Sequence, residues 1–437
     1  MATARQAAFD VLLKMNKGAF SNVSLDAVLS SGIKDARERA LASVLVYGVT
    51  ERRLTLDALI KPCLDRPMKK MKADVLTVLR MGVYQLFYTD RIPVSAAVNE
   101  SVNLAKKNGC AYAAGLVNAV LRKVHSRGLV LPECENEIER MSIEFSCEEW
   151  IVKMLAERYG EENTRGILSS SLEARPITLR VNTVKTNTKA LLEQLDKEGI
   201  KAEAIGKNAV RIEKTGAPME KLPSFRKGMF HVQDKACQLC CAALDVKSGN
   251  TVFDLCAAPG GKSFTIAQMM GNYGTVKSFD IYPHKTELID EGAHRLGLNI
   301  IQSCVADATV YRASLRKADR VLCDVPCSGF GIIGAKPEIK YKKEHEVAEL
   351  PDIQYRILEN AASYLADGGR LVYSTCTLNP AENEEVCNRF LKEHTDFICV
   401  DPSSSAGENK SGEYVTLLPH KDGCDGFFFA AFERKEA

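Results

Sequence analysis

Over the first 130 residues, apolar positions recur at helical spacing: Ala8, Val11, Leu12 and Met15, then Leu76, Leu79, Val83 and Leu86. The same pattern predicts helices near 36–47 and 116–124. The stretch 62–72 breaks it with Pro62 and Pro67, placing its basic residues on a loop or helix start. No alternating run interrupts this part, which predicts an all-α domain over 1–130. Residues 131–172 read as a helical connection with acidic patches and the lone tryptophan, Trp150. From Ile177 the pattern becomes β-rich in two runs, 177–182 and 209–213, which flank a helix-like 188–199. Together they predict a small α/β subdomain that closes a second region, 131–229. From Phe230 a third pattern sets in. Strands are predicted at 251–255, 276–280, 300–304, 320–324, 370–374 and 427–432, separated by helices at 263–270, 285–296, 352–365 and 382–394. Strand–helix alternation of this kind predicts a doubly wound, Rossmann-like parallel sheet over 230–437. The polar run 403–412 reads as a loop.

Composition narrows the class. At 437 residues with 46% hydrophobic and 26% charged positions, the chain can build several packed cores. No apolar run reaches the roughly 20 residues of a membrane span. The first 14 residues lack the charged-then-apolar layout of a signal peptide and read as the start of a folded domain. Fifteen scattered cysteines suit a reducing, cytoplasmic setting. Cys237 and Cys240 form a C-x-x-C without a second ligand pair, so no metal is expected; they read as small apolar residues on a helix. The net charge of +2 hides an asymmetry: residues 1–130 hold 20 Lys and Arg against 10 Asp and Glu, the remainder 38 against 46. Charge alone leaves two readings open, a polyanion partner for the basic domain or a solvated helical surface.

Candidate chemistry gathers at the predicted strand ends. The first strand of the third region runs into Asp254-Leu-Cys256-Ala257-Ala258-Pro259-Gly260-Gly261-Lys262 and then a helix. In such folds this turn approaches a nucleotide-like ligand, and glycines let the backbone come close. Asp280, 20 residues beyond Gly260, ends the next strand, where a carboxylate can accept both hydroxyls of a ribose. Asp307 follows the third strand and can accept from an adenine amino group. A P-loop would need glycine where Cys256 stands, and the dinucleotide fingerprint Gly-x-Gly-x-x-Gly is absent. The fourth strand ends in Asp324-Val-Pro-Cys327-Ser-Gly329 and the fifth in Ser374-Thr-Cys376-Thr377, so two thiols share the edge of the cofactor turn. A thiol beside a methyl donor suits methylation of cytosine at carbon 5. Addition of a thiolate to carbon 6 makes carbon 5 enamine-like, and an acid at N3, such as Asp324, stabilises the adduct. A base must then remove the carbon 5 proton. The chemistry itself does not choose between Cys327 and Cys376.

These three segments resemble the cofactor loop and the two cysteine motifs of the RNA cytosine-C5 methyltransferases. The resemblance implies S-adenosylmethionine as methyl donor, Cys376 as nucleophile and Cys327 in product release. It also implies that Asp280, Asp307 and Asp324 contact cofactor or base and that Lys262 lies in the cofactor loop. Phe230-His-Val-Gln-Asp234, Arg180-Val-Asn182 and Asp422-Gly-Cys-Asp-Gly-Phe-Phe428 are similar to further family segments. The N-terminal region, ending in Val117-Asn-Ala-Val-Leu-Arg122, resembles the RNA-binding NusB fold. That pairing is the arrangement of bacterial 16S ribosomal RNA cytosine-C5 methyltransferases, which implies ribosomal RNA as partner and neither a membrane nor an obligatory protein. Transfer RNA methylation and a catalytically dead RNA-binding factor are the alternatives. One departure stands out: the family has two adjacent glutamates before Asn-Glu, whereas Pro380-Ala381-Glu382-Asn383-Glu384 keeps one.

Overall fold

The computed structural model describes residues 3–15, 33, 35–173, 176–213, 218–402 and 412–435; the stretch 403–411, expected as a loop, lies outside them. The chain divides into two compact units.

The first unit is helical: α1 (Ala4–Met15), α2 (Ala36–Glu51), α3 (Arg53–Ile60), α4 (Ala73–Tyr88), α5 (Val94–Lys107), α6 (Ala114–Arg127), α7 (Glu137–Phe145) and α8 (Glu149–Ser170). Asp35 caps α2 by accepting from the amides of Arg37 and Glu38, and Asn136 caps α7 through Glu139. Helix α4 buries Val75, Val78, Leu79, Met81 and Val83 and packs on α1, α2, α3, α5 and α6, so it forms the centre of the bundle. The proline-rich break becomes two short 3-10 turns, Lys61–Cys63 and Met68–Lys70. Residues 131–172, expected to connect domains, instead join this unit, because α7 packs on both α3 and α8.

Residues 333–343 also belong to the helical unit, although they follow the Cys327 motif in sequence. Tyr341 is their anchor. Its hydroxyl donates to the Thr50 carbonyl, accepts from the Arg53 amide at 3.1 Å and pairs with Ser146 Oγ at 2.9 Å. The Arg53 guanidinium covers its ring at 3.6 Å. The neighbouring Lys340 is fully buried and donates to the Phe145 carbonyl at 3.1 Å.

The second unit holds two sheets. The smaller has the order β2-β3-β1-β4, all pairs antiparallel, from β1 (Ile177–Val181), β2 (Ala202–Gly206), β3 (Ala209–Ile212) and β4 (Phe230–Val232). Helix α9 (Thr188–Lys197) covers it through Leu191 and Leu195. Phe230, placed by sequence at the start of the catalytic region, therefore belongs to the small sheet. It pairs with Val181 and fills the small core.

The larger sheet comprises β5 (Thr251–Asp254), β6 (Thr275–Asp280), β7 (Ile301–Val305), β8 (Ala318–Asp324), β9 (Leu365–Thr375), β10 (Phe397–Val400), β11 (Tyr414–Leu417) and β12 (Phe427–Arg434). Its order is β10-β12-β9-β8-β5-β6-β7, with β11 paired to β12. Strands β5 to β9 are parallel, and β12 runs antiparallel to β9. Alternation along the strands splits two cores. Val252, Leu322, Val372 and Phe429 face α10 (Lys235–Ala243), α11 (Gly261–Met269) and α12 (Pro283–Leu296), while Phe253, Cys323, Tyr373 and Phe428 face α13 (Leu350–Tyr364) and α14 (Glu384–Glu393). Cys240 and Cys241 lie in the first of these cores, on α10. The chain winds from β5 toward β7, then crosses back to β8 and β9. The carboxyl ends of β5 and β8 thus flank the reversal point, where such sheets open a crevice for ligands.

Burial pushes the Lys340 ammonium down to about 8, against the raising influence of Cys147 and Glu51. The unfolded chain therefore binds more protons than the folded one between pH 8 and 10.5, and stability rises with pH across that window. The stability of the wild type relative to Lys340→Met should increase by up to about 3 kcal/mol between pH 7 and 10.5. Urea titrations at both pH values measure this; a constant difference would show that the ammonium is not desolvated.

Candidate active site

Main-chain pairing carries the cofactor loop off the end of β5. The Leu255 amide donates to Leu322 at 3.0 Å and the Ala257 amide to Phe279 at 2.7 Å, so the loop is held by the strands on both sides. Ala257 is buried, and Cys256 and Ala258 pack partly against the cores beneath. Pro259 follows a cis peptide bond. Gly260 then takes φ +105° and begins α11, whose first turn has no side-chain cap. A Cβ at Gly260 would stand 2.4 Å from the Phe264 ring, so this position needs glycine for conformation and for space. Uncapped first-turn amides beside a glycine turn suit an anionic group.

The three strand-end carboxylates differ in availability. Asp280 accepts from the Tyr282 amide at 3.1 Å through one oxygen, and its other oxygen takes no hydrogen bond from the described residues. Beside it Ile281 and Tyr282 are each about half exposed. A free acceptor next to exposed apolar surface fits a ribose hydroxyl and its base. Asp307 uses one oxygen on the amide and hydroxyl of Thr309, at 2.8 and 2.7 Å. Those bonds hold its carboxyl below the usual range.

Asp324 is fully engaged. Its Oδ1 accepts from Ser374 Oγ at 2.9 Å and its Oδ2 from Lys262 Nζ at 2.6 Å. Burial is the largest single influence and disfavours the Lys262 ammonium, but Asp324 together with Cys237 and Cys240 outweighs it and holds the ammonium well above its ordinary value. The sequence reading has Asp324 as the acid at N3, protonated or sharing a proton with it; in the structure both its oxygens already accept hydrogen bonds, and the shorter of the two comes from Lys262. Lys262 thereby links the cofactor loop to the end of β8. Asp254, which ends β5, accepts from Ser263 Oγ at 2.6 Å, and burial pushes its carboxyl up to about 7.

The two cysteines meet because β8 and β9 are parallel neighbours with Asp324 opposite Ser374. Three residues beyond the first and two beyond the second, the sulfurs of Cys327 and Cys376 stand 3.2 Å apart. The hydrogen bond to Cys376 is the largest influence on Cys327; with burial it raises that thiol well above its ordinary value. Residues that the sequence pattern did not single out hold the two loops. Ser328 Oγ and Thr377 Oγ1 lie 2.6 Å apart, Asn383 accepts from Thr375 Oγ1 and donates to the Thr377 carbonyl, and buried Glu382 receives three donors. The Gly331 amide donates to the Cys376 carbonyl at 3.0 Å, and a Cβ on Gly331 would lie 1.9 Å from the Gly426 carbonyl oxygen.

Comparison with known proteins agrees with this arrangement. Residues 241–433 match the family described as 16S rRNA methyltransferase RsmB/F, residues 2–126 the NusB family, and residues 148–218 the ferredoxin-like domain of RsmF/B-like methyltransferases. The chain is 39% identical to a Bacillus subtilis protein named "Probable ribosomal RNA small subunit methyltransferase B", over 99% of this chain and 98% of that one. It is 32% identical to "Ribosomal RNA small subunit methyltransferase B" of Escherichia coli O1:K1, over 91% of each. In fold it is similar to the crystal structure of PH0851, with a TM-score of 0.82, 23% identity, and coverage of 99% of this chain and 98% of that one. A methyltransferase homolog from Pyrococcus horikoshii gives a TM-score of 0.60 at 24% identity, covering 69% of this chain and 100% of its own.

Fold, cofactor loop and paired thiols define an S-adenosylmethionine-dependent RNA cytosine-C5 methyltransferase. The chain belongs to the RsmB/F family of 16S rRNA methyltransferases.

Gly260→Ala should cost about 1–3 kcal/mol of stability through its left-handed backbone. It should also weaken S-adenosylmethionine binding roughly tenfold, a loss of about 1.4 kcal/mol. Thermal melting and calorimetry check the two effects; unchanged cofactor affinity would remove this turn from the cofactor site.

Proposed function

We propose that the enzyme methylates carbon 5 of a cytosine in small-subunit ribosomal RNA, with Cys376 as nucleophile. The carrying observation is the 3.2 Å sulfur pair beside the Lys262–Asp324 link. When bound, S-adenosylmethionine supplies an electrophilic methyl group. The cofactor loop, the free oxygen of Asp280 and the second oxygen of Asp307 would hold it.

The Cys376 thiolate, stabilised by the proton on Cys327, adds to carbon 6, and the ring charge develops at N3. Asp324 and the ammonium of Lys262 face that charge as a preorganised pair that needs little rearrangement. After methylation Cys327 releases its own proton to solvent and, as the thiolate, takes the proton from carbon 5; the electrons of that C–H bond restore the C5–C6 double bond and expel Cys376 from carbon 6 as thiolate. The target base must leave any stack to reach the pair. The homologues' names and the NusB match support ribosomal RNA as substrate. A cytoplasmic location belongs to the same proposal, supported by fifteen cysteines that form no disulfide.

Cys376→Ala should abolish methyl transfer to a small-subunit ribosomal RNA transcript, and Cys327→Ala should accumulate enzyme joined covalently to RNA on denaturing gels. Methylation surviving the first change would reject the nucleophile; absence of an adduct in the second would reject the release role.

The helical unit offers a basic face. Lys61, Arg66, Lys69 and Lys70 make no ion pair among the described residues; the first three, with Asp65, line a recess together with Leu64, Pro67, Met68 and Leu76, and Lys70 follows Lys69 in the same 3-10 turn. Changing all four to Gln should flatten the dependence of log affinity for RNA on log salt by about 3, at roughly 0.7–0.9 per phosphate contact. An unchanged slope would place the RNA elsewhere.

A further inference from the structure

The loop 380–384, where the sequence departs from the family pattern it resembles, has a defined place in the structure. Glu382 is fully buried and makes no ion pair with any described residue. Burying a carboxylate without a cation is costly unless donors satisfy it, and here three do. Oε2 accepts from the Ser328 amide at 2.8 Å and from Gln354 Nε2 at 2.9 Å, while Oε1 accepts from Asn379 Nδ2 at 2.9 Å. Gln354 Nε2 also donates to the Pro326 carbonyl at 2.9 Å. The two residues flanking Cys327, Pro326 and Ser328, are thus both tied to one carboxylate oxygen. The other oxygen holds Asn379, on the loop that leaves Cys376. The carbonyl of Glu382 accepts from the Tyr373 hydroxyl at 2.6 Å, which fixes the clamp to β9.

The two cysteines depend on this carboxylate unequally. Cys376 lies one residue past the end of β9, where Thr375 is still paired with Phe428. Its loop is also held by Asn383 and by the Gly331 amide. Cys327 lies three residues past the end of β8; main-chain pairing runs to Val325, whose amide reaches the Ser374 carbonyl at 3.1 Å, and resumes only at Gly331, whose amide reaches the Cys376 carbonyl at 3.0 Å. Between those two points the Cys327 turn is secured by Glu382, by Gln354, by the contact of Ser328 with Thr377 and by the Phe330 amide, which donates to Thr377 Oγ1 at 3.3 Å.

We propose that Glu382 is a positioning residue that sets Cys327 against Cys376 and so acts in release of the methylated RNA rather than in attack. The inference rests on the release role assigned above to Cys327. It names a function for the single glutamate kept in this loop: one carboxylate that bridges both cysteine turns.

The test uses the full-length enzyme, S-adenosylmethionine and an unmodified small-subunit ribosomal RNA transcript. Glu382→Gln keeps the shape but presents an amide donor where only acceptors fit. Turnover should fall roughly 10- to 100-fold, the range expected for losing a charge-assisted hydrogen bond, with S-adenosylmethionine affinity unchanged. The covalent RNA adduct should rise at least tenfold over wild type although both cysteines are present. In the Cys327→Ala background, Glu382→Gln should add nothing to the adduct, the non-additivity of residues that act as one unit. Gln354→Met removes one donor from the same oxygen and should shift adduct and turnover the same way by less; it carries the test if Glu382→Gln does not fold. Slower turnover without adduct, in a folded variant, overturns the positioning role. Cys327→Ala failing to accumulate adduct overturns the release reading beneath it, and the two failures are told apart by that single variant.

Discussion

Everything at the catalytic edge follows from one register. Strands β8 and β9 lie parallel and adjacent, with Asp324 opposite Ser374. Their hydrogen bonds are main-chain bonds, so this alignment holds whatever side chains occupy the ends. It places an acid, a hydroxyl and two sulfurs within a few ångströms, and the reversal of strand order beside β5 brings the cofactor loop to the same edge. A slip of one residue would send one of the thiols to the opposite face of the sheet. The side chains that do chemistry are therefore set mostly by backbone pairing, and only the last few residues of each loop need further restraint.

Two carboxylates, Asp324 part-buried and Glu382 fully buried, provide that restraint by opposite means. Asp324 accepts from the Lys262 ammonium, which stays charged at the same sheet edge as the two sulfurs. Glu382 has only neutral donors, which spread its charge over three bonds and fix geometry without offering a proton. A cation beside Glu382 would compete with Lys262 for control of the site. Its negative charge, together with that of Asp324, also disfavours a thiolate on Cys327. The same electrostatics that hold the turn thus help assign the proton within the sulfur pair.

Strands β5, β8 and β9 were legible in the sequence because their carboxyl halves are largely buried on both faces and read as short, mostly apolar runs, whereas the edge strand β7 is only partly buried and was legible from its place in the strand–helix alternation. Asp280, Asp324, Cys327 and Cys376 were legible because they stand where those runs stop. Strand β4 was read as the start of the wrong region: it has only three residues, and Val232 is half exposed, so pairing with β1 rather than its own pattern makes it a strand. Glu382 and Gln354 carried no local signal. The main-chain groups they hold lie 28 to 54 residues away, and in sequence they look like ordinary loop and helix polar residues. The departure from the family pattern at 380–384 pointed to the right loop but not to its task.

The excursion of residues 333–343 into the helical unit bears on how this protein is made. The bond from Tyr341 to Thr50 closes a span of 291 residues. During synthesis, α2 and α3 emerge early, but the pocket between Thr50, Arg53 and Ser146 stays without its aromatic filling until Tyr341 has left the ribosome. By then β5 to β8 have already emerged. The N-terminal helices, first to be translated, are among the last elements to be completed, and their final packing waits on the middle of the catalytic sheet.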